Sequence, residues 1–242
     1  MAGFFYNLGR RVGPKVRRTR WVWQSVFGNE ADLIAAEADV GRDLAAEALR
    51  HLALDPDPQA EDFVREIGTR LVARLANKQR RFTFRVLEGG EPNAFALPGG
   101  YVFVTRSIME LCGRQRDEVA FILAHEMAHV VRQHAIERVV TDSAINIASR
   151  AKVLPGAVGA WVRRVGVGFL EGAYSQDRES EADEFAVRLT RAAGFDPAAG
   201  VRLFLRLADR APDPRGLGQY FATHPPFASR ITYLKNLIAT TT

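Results

Sequence analysis

His125 and His129 stand four residues apart with Glu126 beside the first, in the run His125-Glu126-Met127-Ala128-His129. On a helix that spacing puts both imidazoles on one face, one above the other, where they can share a metal ion. Glu126, one position on, sits beside the ion and can take a proton from a water whose pKa zinc lowers to about 7. The chemistry is metal-assisted hydrolysis, provided that the run is helical and a third ligand comes from elsewhere.

The run has the marks of a helix. Asp117 suits an N-terminal cap and Glu118 a first turn, and no Gly or Pro interrupts the chain from there to Arg138. Apolar residues flank the motif on most sides, which predicts a largely buried helix. Catalytic zinc takes three protein ligands and leaves one position open, and two His with one Glu is an established set. His134, five residues beyond His129, falls off the ligand face and reads as supporting or surface. A carboxylate is the better third ligand. Ser175 to Ala186 reads as a helix start with Ser175 as its cap. Glu179 and Asp183 share one face of it, so Glu179 can ligate while Asp183 accepts a hydrogen bond from a ligand histidine. On spacing alone Glu181 or another acid competes with Glu179; otherwise Glu181 and Glu184 read as a solvent face.

Other elements must position this helix pair. Arg81 to Val86 alternates polar and apolar residues as a half-buried strand does. Asn93 to Leu97 is a second short strand, Pro98-Gly99-Gly100 a turn, and Tyr101 to Thr105 a third strand. A small sheet beside the motif helix offers an edge on which an extended peptide can add as a further strand. Ala31 to Leu52 and Pro58 to Ala76 are amphipathic helices separated by the turn Asp55-Pro56-Asp57-Pro58. Residues 144–172 are apolar and glycine-rich, suiting a lid, a membrane contact or a helical pair. Near the end, Pro225 keeps the His224 loop extended and Ser229 suits the cap of a helix reaching Ile238. The fold class is α+β, mostly helical, with one small sheet packed beside the motif helix.

Four motifs in one order carry a family resemblance: Asn93-Ala94-Phe95-Ala96-Leu97-Pro98-Gly99-Gly100, HEMAH, the Glu-x-x-Ala-Asp from Glu179 to Asp183, and Thr223-His224-Pro225. Together they resemble the zinc metallopeptidases of family M48, which include CAAX prenyl endopeptidases, HtpX heat-shock proteases and the Oma and BepA types. The resemblance runs from about Glu30 to Ile238. It implies a zincin-like (gluzincin) domain holding one Zn2+ on His125, His129 and Glu179, with Glu126 as general base and Asp183 supporting a ligand. It implies that His224 lies near the zinc, either stabilising the oxyanion or capping the metal at rest. Arg230 then assists that anion or pairs with a carboxylate, and Asn93 and Ala94 contact substrate. The implied activity is endoproteolysis in protein quality control.

Composition bounds the remainder. With 242 residues and 47% hydrophobic content the chain can bury a full core. The sole cysteine, Cys112, excludes an internal disulfide framework and suits a reducing, cytoplasmic compartment. Neither a transmembrane run nor a signal-peptide core is recognisable, unlike the integral-membrane branches of the family. Residues 1–27 carry six basic residues and no acid against +5 for the whole chain, so the excess belongs to this arm. Its basic and aromatic mixture suits an anionic membrane surface or packing across the domain, with nucleic acid ranked last. Residues 1–29 are therefore read as an arm and 30–242 as the catalytic domain. A chaperone-like or autoinhibited binding protein is the competing class, and a basic adaptor with structural metal the third.

Overall fold

Asp57 and Pro58 start a helix for local reasons. The Asp57 carboxylate accepts from the Gln59 amide at 3.0 Å, and Pro58 occupies a first-turn position where no amide hydrogen is required. The computed structural model describes residues 30–134, 175–210, 224 and 227–240. The arm (1–29) and the stretch 144–172 lie outside the described residues, as do Thr223 and Pro225. In chain order the elements are α1 (Glu30–Ala48), α2 (Pro58–Val72), β1 (Thr83–Leu87), β2 (Ala94–Leu97), a 3-10 turn (Pro98–Gly100) and β3 (Tyr101–Thr105). There follow α3 (Arg106–Leu111), α4 (Arg116–Val131), α5 (Gln176–Ala192), α6 (Ala199–Arg210) and α7 (Phe227–Thr240). This is the expected mostly helical α+β arrangement, and no helix among the described residues is long and apolar enough to cross a membrane.

The three strands form one sheet of order β1-β3-β2. β1 runs parallel to β3, from Thr83 opposite Tyr101 to Leu87 opposite Thr105, and β2 runs antiparallel to β3. β3 is therefore central and β2 is an edge. The sheet packs on α4 through β2 and β3, while α2 covers β1. Every residue of α4 from Glu118 to Val130 is buried, as a helix apolar on most sides must be. α5 is its principal partner, α6 also packs on it, and α7 packs on α5 and α6.

α1 seats on the 3-10 turn. A Cβ on Gly41 would stand 1.7 Å from the Pro98 carbonyl oxygen, and Gly99, at φ 75°, lies against the backbone of Ala38. Beside this contact Arg80 Nη1 donates to Glu37 Oε2 at 2.7 Å, with the two side chains only 4% and 3% exposed.

Some boundaries differ from the sequence reading. α4 is preceded by Gln115 without a side-chain cap, and Asp117 lies in its first turn. There the Asp117 carboxylate accepts from the Asp196 amide at 3.2 Å, tying α4 to the loop before α6 instead of capping its own helix. α4 ends at Val131 because Gln133 turns left-handed, at φ 57°. α7 begins at Phe227, so Ser229 lies inside it and accepts from Gln176 Nε2 of α5 at 3.0 Å. Ser175 does occupy the N-cap of α5, though its side chain makes no capping bond. Cys112 is buried and unbridged, as expected.

Asp55 joins the turn before α2 to the sheet. Its amide donates to Val86 at 2.9 Å; its carboxylate accepts from the Asp57 amide at 2.8 Å and from Arg106 Nε at 2.5 Å and Nη2. Burial alone would raise the pKa of Asp55, but Arg106 and the Asp57 amide outweigh it and hold the carboxyl below its ordinary value. A depressed carboxylate stabilises the fold fully above its unfolded pKa of about 3.9 and loses that contribution as pH falls through the folded value. Asp55→Asn is therefore expected to cost about 1–3 kcal/mol at neutral pH. In urea titrations the gap to wild type should narrow below about pH 4. A gap independent of pH would remove the ion pair from the account.

Candidate metal centre

α4 delivers His125 and His129 to one face, and α5, lying along α4, delivers Glu179 opposite them. His224, just before α7, completes the group; all four residues are buried and one donor atom from each lies within 4.8 Å of the others. The spacings within the group are informative. His125 Nε2 lies 3.2 Å from His129 Nε2 and 3.4 Å from His224 Nδ1. His125 Nε2 and His129 Nε2 each lie 3.5 Å from a different Glu179 oxygen, and His224 Nδ1 is 3.0 and 3.1 Å from the two Glu179 oxygens. A tetrahedron with metal–ligand bonds of 2.0–2.1 Å has edges of about 3.3–3.4 Å. The separations among His125, His129 and Glu179, 3.2 to 3.5 Å, thus lie near those that a tetrahedral ion requires. Nitrogen and carboxylate oxygen are a donor set that zinc accepts.

Polar partners hold the donors. His125 Nδ1 lies 3.0 Å from Asp183 Oδ1, at a bent approach. Arg230 of α7 clamps Asp183 in a two-pronged bond, 2.7 Å on each arm, and its third nitrogen lies 2.9 Å from Glu179 Oε2. The guanidinium rests 4.4 Å over the Phe204 ring of α6. Arg230 therefore pairs with carboxylates, one of the two roles weighed for it. Burial would raise the pKa of Asp183, but Arg230 and His125 reverse that and keep it ionised.

Electrostatics divide the histidines. Burial and the neighbouring His125 push His129 well below its ordinary value, so its ring is neutral, the form that ligates. Burial also acts to lower His125, yet bonds to Asp183 and Glu179 raise it to about 9 without a cation. The paired acid Glu179 stays ionised: His224 and His125 outweigh the cost of its burial.

Glu126 stands apart from the ligand set. It is 2% exposed, its Oε1 has no hydrogen-bond partner among the described residues, and His224 Nε2 lies 3.4 Å from that oxygen. Burial raises its pKa from the ordinary carboxylate value, offset in part by His224 and His125.

Asn93 and Ala94 lie on the edge strand side of α4, with both side chains buried. The Asn93 amide donates to Thr105 Oγ1 and its carbonyl accepts from the Thr105 amide, each at 2.9 Å. Asn93 thus faces β3, and with the alternation of an antiparallel pair Phe95 and Leu97 do too. The backbone groups of Ala94 and Ala96 point to the side of β2 on which no described strand pairs. Phe95 is half-buried and stacks on Phe103 at 5.1 Å.

By sequence His134 reads as supporting or surface and Glu181 as a competing ligand or a solvent-facing acid, without a link between the two. His134 Nδ1 lies 3.0 Å from His129 Nδ1, and its Nε2 lies 3.2 Å from Glu181 Oε2.

Comparison with known proteins gives a consistent result. Residues 58–238 match Peptidase family M48. The chain is 33% identical over 174 residues to the Mitochondrial metalloendopeptidase OMA1 of Schizosaccharomyces pombe, covering 70% of this chain and 50% of that protein. It is 27% identical over 192 residues to the Beta-barrel assembly-enhancing protease of Escherichia coli K12, covering 74% and 39%. It is 30% identical over 161 residues to Metalloprotease YcaL of the same organism, covering 64% and 62%. The matched part therefore spans between about two fifths and three fifths of these relatives.

Proposed function

Because the chain belongs to peptidase family M48 and is a metalloprotease, we propose that it is a zinc-dependent endopeptidase acting on unfolded or misplaced protein substrates. The observation that carries this reading is the near-tetrahedral spacing of the buried donors on His125, His129 and Glu179. These three residues would hold the ion. Zinc bound there supplies a Lewis acid that polarises the scissile carbonyl and lowers the pKa of water to about 7.

The chain's own groups do the rest. Glu126 takes the proton of the attacking water and returns it to the leaving amine; burial raises its pKa above the ordinary carboxylate value, which suits holding the proton between the two transfers. An extended substrate pairs with the outward backbone groups of Ala94 and Ala96, adding a strand to the open edge of β2. Asn93 serves that contact by anchoring the strand to Thr105. The names of the relatives support protein substrates and a quality-control role. A reducing compartment and peripheral contact of residues 1–27 with an anionic membrane remain part of the proposal, on the strength of the single cysteine and the basic arm.

His224 favours a second feature of the same site. Its Nδ1 stands where a fourth ligand belongs, so we assign it the resting position that water or substrate takes during turnover. His224→Ala is then expected to raise turnover severalfold while metal content stays the same, measured by proteolysis and by metal analysis of one sample. A fall in turnover returns His224 to the oxyanion role.

The test of the whole reading is incubation of the purified protein with zinc and unfolded casein, beside a chelator-treated sample and the Glu126→Gln variant. Cleavage in the first alone is expected. Zinc bound without cleavage in any sample favours the binding-protein class.

A further inference from the structure

We propose that His134 and Glu181 are positioning residues that fix the tautomer and orientation of the ligand His129; the proposal rests on the metal-centre reading above. A ring that ligates through Nε2 carries its hydrogen on Nδ1. For His129 that Nδ1 faces His134 Nδ1 at 3.0 Å. Only one hydrogen fits between two nitrogens, so His134 Nδ1 accepts it. The hydrogen of the neutral His134 ring then sits on Nε2, which faces Glu181 Oε2 at 3.2 Å. Glu181 in turn forms an ion pair with Arg132, whose Nε lies 3.1 Å from Oε1. The relay has one consistent direction, from the metal through His129 and His134 to a carboxylate braced by a cation.

Three features favour a built arrangement. The His134 side chain is 0% exposed, so water does not replace either bond. His134 is brought back against its own helix by Gln133, a non-glycine residue at φ 57°, a conformation that costs about 1 kcal/mol. The arrangement also mirrors the other ligand: His125 has Asp183 of α5, and His129 has Glu181 of α5 acting through a second imidazole.

The test uses His134→Phe, which keeps a ring and removes the acceptor, and His134→Asn, whose Oδ1 falls near the position of Nδ1. Zinc affinity is measured by competition with a chromophoric chelator. His134→Phe is expected to bind 10–100-fold more weakly, in line with loss of a ligand's supporting bond, and His134→Asn to recover most of that loss. A filler role predicts the reverse order, and Phe binding as tightly as wild type would overturn the relay. Glu181→Ala, at a side chain 42% exposed, provides a variant with little risk to folding; it is expected to lose affinity severalfold, and unchanged affinity counts against the proposal. Long-range proton–nitrogen spectra of zinc-loaded protein labelled at histidine nitrogen should show His134 protonated at Nε2 only. A hydrogen on its Nδ1 would overturn the assignment. Wild type that binds no zinc at all would instead sink the metal centre itself.

Discussion

Glu126→Gln is expected to stop peptide hydrolysis while leaving metal content and fold intact. The amide keeps the shape of the carboxylate but cannot take the proton of the attacking water. Loss of a positioned base lowers turnover by about 10²–10⁴-fold, or roughly 3–5 kcal/mol of barrier. The structure adds a signature that an inactivating lesion elsewhere lacks. The Glu126 carboxylate is buried with an oxygen that has no hydrogen-bond partner among the described residues, and burial raises its pKa. Burying that charge costs stability that His224 and His125 offset only in part, so neutralising it should leave the melting temperature unchanged or higher. Activity, zinc content and melting are read on the same preparation. Retained turnover removes Glu126 from the mechanism, and lost zinc makes it a ligand.

Asp183→Ala is expected to give the largest loss of stability. Asp183 is 0% exposed and receives both arms of Arg230, itself 2% exposed. Removing one partner strands a cation between α5, α6 and α7, and breaking such a pair costs about 3–5 kcal/mol. For a domain of this size that lowers the melting temperature by about 10 °C. Arg230→Met added to Asp183→Ala should restore part of the loss, since the cation of the broken pair is then gone, while Glu179 keeps its charge and loses its contact with Arg230. It should not restore metal affinity, because His125 still lacks its acceptor, a loss of about 10–100-fold. Chemical denaturation and chelator competition separate the two effects. A double variant no more stable than the single one would show that Arg230 is not the cause.

Much of the centre was legible because its signals are local. His125, Glu126 and His129 lie within one helical turn and a half, and Glu179 with Asp183 repeats the four-residue spacing on a second helix. Periodicity places such groups without tertiary information. Choosing Glu179 over Glu181 needed more, since both acids lie on α5 and only packing against α4 decides which one meets the histidines. His134 was harder still. Its approach to His129 depends on a left-handed turn at Gln133, and no helical spacing brings residues five apart together. Glu181 looked like a solvent-facing acid for the same reason: its partner reaches it only through that reversal. The three strands were legible from alternation and from the Pro-Gly-Gly turn. The parallel pairing of β1 with β3 was not, because the sequence between them contains another strand and says nothing of which neighbour each one takes.

The seating of α1 on the 3-10 turn reaches past the region matched to the family, which begins at residue 58. A chain shortened to that boundary would keep all four metal donors and still be an incomplete unit. Arg80 would lose Glu37 and be left as a stranded cation, and the backbone around Pro98 and Gly99 would be uncovered at the end of the edge strand. A piece cut at the family boundary therefore lacks a helix on which the turn before β3 is seated, and an autonomous piece has to include α1 (Glu30–Ala48).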